Sequence, residues 1–366
     1  MSTRPTFPWA GEEGLGNPLP LAENFALPLP VVNGSTPIID TVGSVPLDGV
    51  YITEPNATSY EWWYFDVVSE AHSSSVVFVV SVSYSGTGVP QLVAELSISY
   101  PNGTWAEITI PQDVLFVYTA GEGSSGVANV FSWQSTPDLA EYTIQVDLEA
   151  QGVTGHIKLS SIAPPHVKCG PAEKGASLTD AENILWVNLV PDAVASVNID
   201  VNGTLTSFEG SGYHDKNWGT NPYADVLNQW YWGHGRSGPY SVVFFWIIQD
   251  NGEIVASAYL ARDEHIIYST CDATSAVIRP FGKDGIVYPV PFNGSASLEG
   301  LYINIDAGEE IGNFTFTAHQ SHVIQSDGDP STYRRWIGSL TGGVQPPGSG
   351  ENSTGFALWE LMGPFS

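Results

Sequence analysis

Two short strings set protonatable groups beside indoles and phenols: Tyr213-His214-Asp215-Lys216-Asn217-Trp218 and Glu61-Trp62-Trp63-Tyr64-Phe65. An acid, an amide and a cation next to aromatic faces suit a largely apolar ligand polarised at one point, because burial strengthens each hydrogen bond. In extended backbone successive side chains alternate between faces, so His214 and Lys216 share one face and Asp215 and Asn217 the other. One of those pairs is expected to meet a cavity. The functional reading makes Asp215 or His214 a proton donor or acceptor tuned by burial among indoles, with Tyr213 and Lys216 as further donors. The bland reading is an Asx-type turn, with Asp215 and Asn217 bonding local backbone and Trp218 plugging a barrel end.

Downstream, Trp230 and Trp232 fall on one strand face, with Gln229 and Tyr231 on the other. Such indoles serve either as core or as a pocket wall. Gln229, Trp230, Trp232 and Trp246 therefore join Trp62, Trp63, Tyr64, Asn217 and Trp218 as expected substrate contacts. Glu61 shares a face with Trp63 and Phe65, and a carboxylate among rings needs a partner. Lys216 is the first candidate; Arg334, Arg335 or a substrate hydroxyl would also serve. His214, Asp215 and His234 are conceivable metal ligands, but there is no His-x-x-x-His pair and no Cys cluster. A nucleophile elbow, a phosphate loop and a dinucleotide fingerprint are also missing, so neither a metal nor a cofactor is expected.

The elements that must position these residues read as strands. Val76 to Tyr84 is β-branched and aromatic and stops at Gly86 and Gly88; Leu92 to Tyr100 follows, ended by Pro101-Asn102-Gly103. Alternating stretches recur at 142–148, 156–159, 184–190, 194–201, 241–248, 254–260 and 301–305, and almost nothing has the period of a long amphipathic helix. Turn signals at Asn202-Gly203, Asp250-Asn251-Gly252, Lys283-Asp284-Gly285 and Asn293-Gly294 fit antiparallel hairpins. An all-β protein of sandwiches or barrels follows. A single barrel using every strand would be too wide for side chains to fill, so two β domains in tandem are expected. They would cover 46–220 and 221–366, behind an extended Pro- and Gly-rich arm over 1–45.

With 42% hydrophobic and 12% aromatic residues over 366 positions, the composition is globular. A formal charge of −28, with 11 Lys plus Arg, argues against nucleic acid and anionic membrane surfaces, which would repel the chain. No apolar run reaches the roughly 20 residues that span a bilayer, and Met1-Ser2-Thr3-Arg4-Pro5 lacks the apolar core of a signal peptide. Small apolar molecules are the expected partners. Sequons at Asn33, Asn56, Asn102, Asn202, Asn293, Asn313 and Asn352 nonetheless point to a secretory compartment, with a leader already removed. Cys169 and Cys271 permit one disulfide, closing a loop of about 100 residues.

Glu61-Trp62-Trp63-Tyr64-Phe65-Asp66, the Tyr213 to Gly219 string and the closing Gly355-Phe356-Ala357-Leu358-Trp359-Glu360-Leu361 together resemble the family of hydroxyneurosporene synthase, also called carotenoid 1,2-hydratase. The resemblance implies tandem lipocalin-like β domains with a ligand cavity at or near their junction. In that family the central string usually carries a second His where this chain has Lys216, a departure that turns the expectation away from alkene hydration. Fungal relatives of the superfamily include Diels–Alderases and hetero-Diels–Alderases of secondary metabolism. They imply a cofactor-independent [4+2] cycloaddition on an apolar terpenoid or polyketide, such as a tropolone quinone methide adding to a humulene-type alkene. In that reading His214, Lys216 or Tyr213 donates to a heterodiene carbonyl, and Asp215 or Glu61 assists the loss of water that generates it. The alternatives are alkene hydration, with Asp215 or His214 as acid and Trp62, Trp218 and Trp230 sheltering the cation, and carriage without turnover.

Overall fold

Along the Tyr60–Ser69 strand, Trp63, Phe65 and Val67 pack into one apolar cluster while Trp62, Tyr64 and Val68 belong to another. That period of two, on a strand buried on both faces, builds the whole molecule. The computed structural model describes residues 24–85, 89–283, 285–291, 294–328, 332–345 and 353–364. Among them the expected all-β class is plain: the sole α-helix is Gly308–Ile311, and no helix is long and apolar enough to cross a membrane.

Two antiparallel sheets carry the strands. The first has 15 strands, and its main path runs from Asn24–Leu27 through Leu115–Ala120, Gly123–Val127, Phe131–Ser135, Glu141–Leu148, Val153–Ser161, Ile184–Val201, Thr204–Gly219, Tyr60–Ser69, Ser75–Ser83 and Gln91–Ser99 to Trp105–Gln112. The second has 9, ordered His265–Thr270, Ile254–Arg262, Tyr240–Gln249, Leu227–Ser237, Ser353–Met362, Tyr333–Gln345, Asn313–Ser326, Leu298–Asp306 and Ala276–Gly282. Each curls around its own core, one containing Trp63, Trp133 and Trp218 and the other Tyr231, Trp246, Trp336 and Trp359. A third apolar cluster, with Tyr64, Trp186, Tyr213, Trp230 and Trp232, lies between the sheets.

Local chemistry explains several joints. Asn202 and Gly203 take φ of 53° and 80°, a left-handed pair that closes the hairpin between Ile184–Val201 and Thr204–Gly219. The stretches 184–190 and 194–201, expected as two, form this single Ile184–Val201 strand. Pro191 has no N–H to give the ladder, and the register slips on either side of Val190 instead of breaking. The adjoining Asp192 accepts from the Ser211 hydroxyl of its own sheet at 2.6 Å and reaches across to the second sheet, accepting from Arg236 Nε at 2.8 Å and Nη2 at 2.7 Å and from the Ser241 hydroxyl at 2.6 Å. His234 Nε2 lies 2.8 Å from Asp66 Oδ2 between the sheets as well. The expected Cys169–Cys271 disulfide is formed, with Cα atoms 4.7 Å apart, and ties the His166–Pro171 hairpin to the end of the His265–Thr270 strand.

Of the arm expected over 1–45, residues 1–23 lie outside the described residues, as do Gly86, Gly88, Asp284, Asn293 and Asn352. The remainder is anchored: Asn24–Leu27 pairs with Leu115–Ala120, and Leu27 and Val42 are buried in the first core.

Candidate active site

Cross-strand register sets the inter-sheet faces out in rows. On the first sheet Asp215 pairs with Tyr64, Tyr64 with Val79, and Val79 with Glu95; the neighbouring row is Asn217, Trp62 and Ser81. On the second sheet one row runs Phe245, Trp232, Glu360, Arg335, Gln325, and the next Trp230, Met362, Tyr333. These rows, with Tyr223 and Thr332, enclose a cavity of about 410 Å³. Its size suits a drug-sized molecule, and rings form much of its wall.

Asp215 is the acid in that wall. Its Oδ2 accepts hydrogen bonds from Trp186 Nε1 and Tyr213 Oη, both at 2.8 Å, and its Oδ1 accepts from Asn217 Nδ2 at 2.9 Å. Burial raises its pKa from 3.8 to about 6, against the pull of the Trp186 and Tyr213 donors. A neutral carboxyl is thus accessible near physiological pH, and three donors hold it in one orientation. The Asx-turn alternative does not hold, because Asp215 and Asn217 sit within the Thr204–Gly219 strand and bond side chains.

Across the cavity, Glu360 Oε2 accepts from Arg335 Nε at 3.2 Å, Arg335 Nη2 at 3.1 Å and Tyr333 Oη at 2.7 Å, and its Oε1 accepts from Trp230 Nε1 at 3.1 Å. Arg335 Nη1 donates to Gln325 Oε1 at 2.8 Å, and the guanidinium lies 5.2 Å from the centre of the Tyr64 ring. The pair is self-neutralising, so the cavity carries fixed dipoles more than free charge. Tyr64 and Trp232 meet edge to face at 5.3 Å, and Trp230 and Phe245 at 5.5 Å.

The opposite face of the same strands points into the first core. Lys216 Nζ donates to Glu61 Oε1 at 2.7 Å and to Gly49 O, and lies 3.6 Å from the Trp63 ring centre. Glu61 also accepts from the backbone N–H groups of Tyr51 at 2.9 Å and Ile52 at 3.1 Å. Burial lowers the Lys216 pKa, while Glu61 and Asp48 raise it back. His214 stacks on Phe65 at 3.9 Å, its ring nitrogens 2.8 Å from Tyr64 O and 3.2 Å from Asp48 Oδ1.

Strand alternation therefore divides the expected catalytic set. Asp215 lines the cavity and Tyr213 bonds to it; His214, Lys216 and Glu61 face away, and Glu61 pairs with Lys216 while Arg335 pairs with Glu360. Of the expected contacts Trp62, Tyr64, Asn217, Trp230 and Trp232 line the cavity. Trp63 and Trp218 are instead in the first core, Trp218 stacked on Tyr51 at 3.8 Å. Gln229 and Trp246 turn into the second core, donating to Val290 O at 2.8 Å and Tyr288 Oη at 2.7 Å. Glu95, Phe245, Gln325, Tyr333, Arg335 and Glu360 are cavity residues that the sequence reading did not assign to the ligand. Glu95 and Glu360 gave a usable signal: each is a lone carboxylate inside a largely apolar strand.

Comparison with known proteins agrees with this architecture. A family model described as Diels-Alderase-like matches residues 51–298. The chain is 30% identical over 338 residues to the quinolone epoxide rearrangement protein asqO of Emericella nidulans, covering 88% of this chain and 90% of that one. It is 33% identical over 320 residues to the quinolone epoxide rearrangement protein penF of Penicillium thymicola, covering 83% and 84%. Among solved structures, CghA with Sch210972 is similar with a TM-score of 0.72 at 18% identity, covering 89% of this chain and 94% of that one, a likeness of fold. The chain belongs to the Diels-Alderase-like family, and with it to enzymes of the cyclase and isomerase kind.

Proposed function

We propose that the inter-sheet cavity catalyses a cofactor-independent [4+2] cycloaddition on a small, largely apolar secondary metabolite, with Asp215 donating a hydrogen bond to one substrate oxygen. The observation that carries this reading is Asp215 itself, a buried carboxyl held by Trp186, Tyr213 and Asn217 at the wall of a ring-lined cavity. In its neutral form it donates to a carbonyl of the diene or dienophile, drawing electron density from the reacting π system and lowering the barrier. Confinement of both partners in one arrangement removes an entropic part of the barrier, roughly 7–11 kcal/mol at the ideal limit. The new σ bonds form from the reactants' own π electrons, so nothing is oxidised and no atom is gained or lost. A tropolone quinone methide adding to a humulene-type alkene is one pair of this class, and a polyene folding on itself is another. A product mass equal to the sum of two reactants, or to that of one, tells them apart.

A second reading rests on the acidity of Asp215 and on the two relatives named for epoxide rearrangement. Asp215 would give its proton to an epoxide oxygen as the C–O bond breaks, the electron pair leaving with oxygen. The carbocation would be sheltered by Trp62, Trp230 and Trp232 until a neighbouring group migrates. Proton return to Asp215 from the oxygen then yields a carbonyl isomer. A solvent isotope effect on the chemical step marks this reaction, and its near-absence marks the cycloaddition.

Both readings use protonated Asp215, so single-turnover rates are expected to fall as pH rises through about 6 and to flatten in Asp215→Asn. The same shift has a definite sign for stability. The pKa is raised on folding, so the carboxyl's favourable contribution is complete below 3.8 and is lost as pH rises through about 6. A rate that climbed across that window would make the ionised form the active one.

We further infer passage through a secretory compartment. Asn33, Asn102, Asn202 and Asn313 are exposed and Asn56 is half-buried, and an intact disulfide fits an oxidising environment. Mass spectrometry of protein from its natural source is expected to find N-glycan on these asparagines; bare asparagines with free thiols would reverse the inference.

A further inference from the structure

The cavity changes character along its rows. Trp232 and Phe245 face the Asp215 end, whereas Gln325, Arg335 and Glu95 gather toward the other. Neighbouring strands lie about 4.8 Å apart, so the three steps Asp215 to Tyr64 to Val79 to Glu95 separate the outer backbone positions by roughly 14 Å. Glu95 is half-buried in the cavity wall, and no described residue hydrogen-bonds or ion-pairs with its carboxyl. The nearby donors are engaged elsewhere: Arg335 with Glu360 and Gln325, and Gln325 Nε2 with Glu107 at 2.7 Å. This end of the cavity therefore presents an acceptor without a donor. The Arg335–Glu360 pair is internally neutral, so the charge this end adds is that of Glu95: an anionic occupant is repelled and a hydrogen-bond donor is favoured.

We propose that Glu95 is the head-group subsite, accepting a hydrogen bond from an N–H or O–H on a neutral head group of the substrate whose apolar, reacting end lies at Asp215. The proposal rests on the reading of Asp215 as the acid, and it specifies the substrate class: an elongated molecule, with a neutral donor group at one end and an unsaturated or oxygenated apolar portion at the other. A site built to bond a donor discriminates against an analogue that lacks it, because the desolvated carboxylate is then left unpaired.

The test uses 2-quinolone, a neutral lactam with one N–H, and N-methyl-2-quinolone, which keeps the rings and loses the donor. Binding is read by quenching of the cavity indoles in the full-length protein. The wild type is expected to prefer the N–H lactam by about 10-fold or more. Glu95→Leu should bring the two affinities within about 2-fold, and Glu95→Gln, whose amide oxygen still accepts, should fall between. Equal affinities in the wild type, no binding of either lactam, or a preference that survives Glu95→Leu overturns the proposal. Asp215→Asn keeps the two readings distinct. Full turnover with a retained lactam preference refutes the acid alone, whereas lost turnover with no preference in the wild type refutes the subsite alone.

Discussion

Asp215→Asn is expected to lower the rate of the chemical step by about 10²–10³-fold while ligand affinity and fold stay near wild type. The substitution keeps the shape of the side chain. Its Oδ1 can still accept from Trp186 and Tyr213, and the Asn217 amide, which lines the cavity, can turn over so that its oxygen meets the new Nδ2. What is removed is a group that becomes neutral near pH 6 and carries a transferable proton. Rate and affinity therefore part company in a catalyst, whereas a carrier would keep its affinity and have no rate to lose. The melting temperature at neutral pH should hold or rise, because the variant no longer buries a carboxylate that ionises against the cost of desolvation. Unchanged turnover would remove Asp215 from the chemistry and leave confinement as the source of acceleration.

Lys216→Met is expected to show the converse, a stability loss of about 3–5 kcal/mol with turnover per folded molecule unchanged. Lys216 and Glu61 are both fully buried, and the ammonium also bonds Gly49 O and lies over Trp63. Removing it strands Glu61 with only the Tyr51 and Ile52 N–H donors for its charge. For a chain of this size the loss corresponds to a fall in melting temperature of about 4–7 °C. Urea unfolding of Lys216→Met, Glu61→Gln and the double variant measures the coupling, and the double variant should recover part of the loss because no unpaired charge remains. A Lys216→Met protein that melted like wild type but lost turnover would place Lys216 in the reaction and contradict its position on the core face.

Much of this was legible because extended strands impose a period of two. The pairing of His214 with Lys216 on one face and Asp215 with Asn217 on the other needed only that rule, as did the shared face of Trp230 and Trp232. That Glu61 needs a partner followed from the cost of a buried carboxylate, and the structure selects Lys216 from the several candidates. The orientation of the faces was not legible, because both sides of these strands are apolar and buried, so alternation gives two equivalent choices. His214 and Lys216 look at least as chemical as Asp215 in one dimension, yet they point into the first core. Trp63, Trp218, Gln229 and Trp246 were misdirected by the same ambiguity.

The sequence by itself determined the all-β class, the alternation within each strand, the need of Glu61 for a partner and the family to which the motifs belong. Only the tertiary structure decided which face lines the inter-sheet cavity and which distant residues join Asp215 there. Glu95, Arg335 and Glu360 reach the cavity through register across several strands and through the packing of one sheet on another. Those relations are fixed by how two curled sheets bury their shared face, a property of the assembled molecule that no local periodicity encodes.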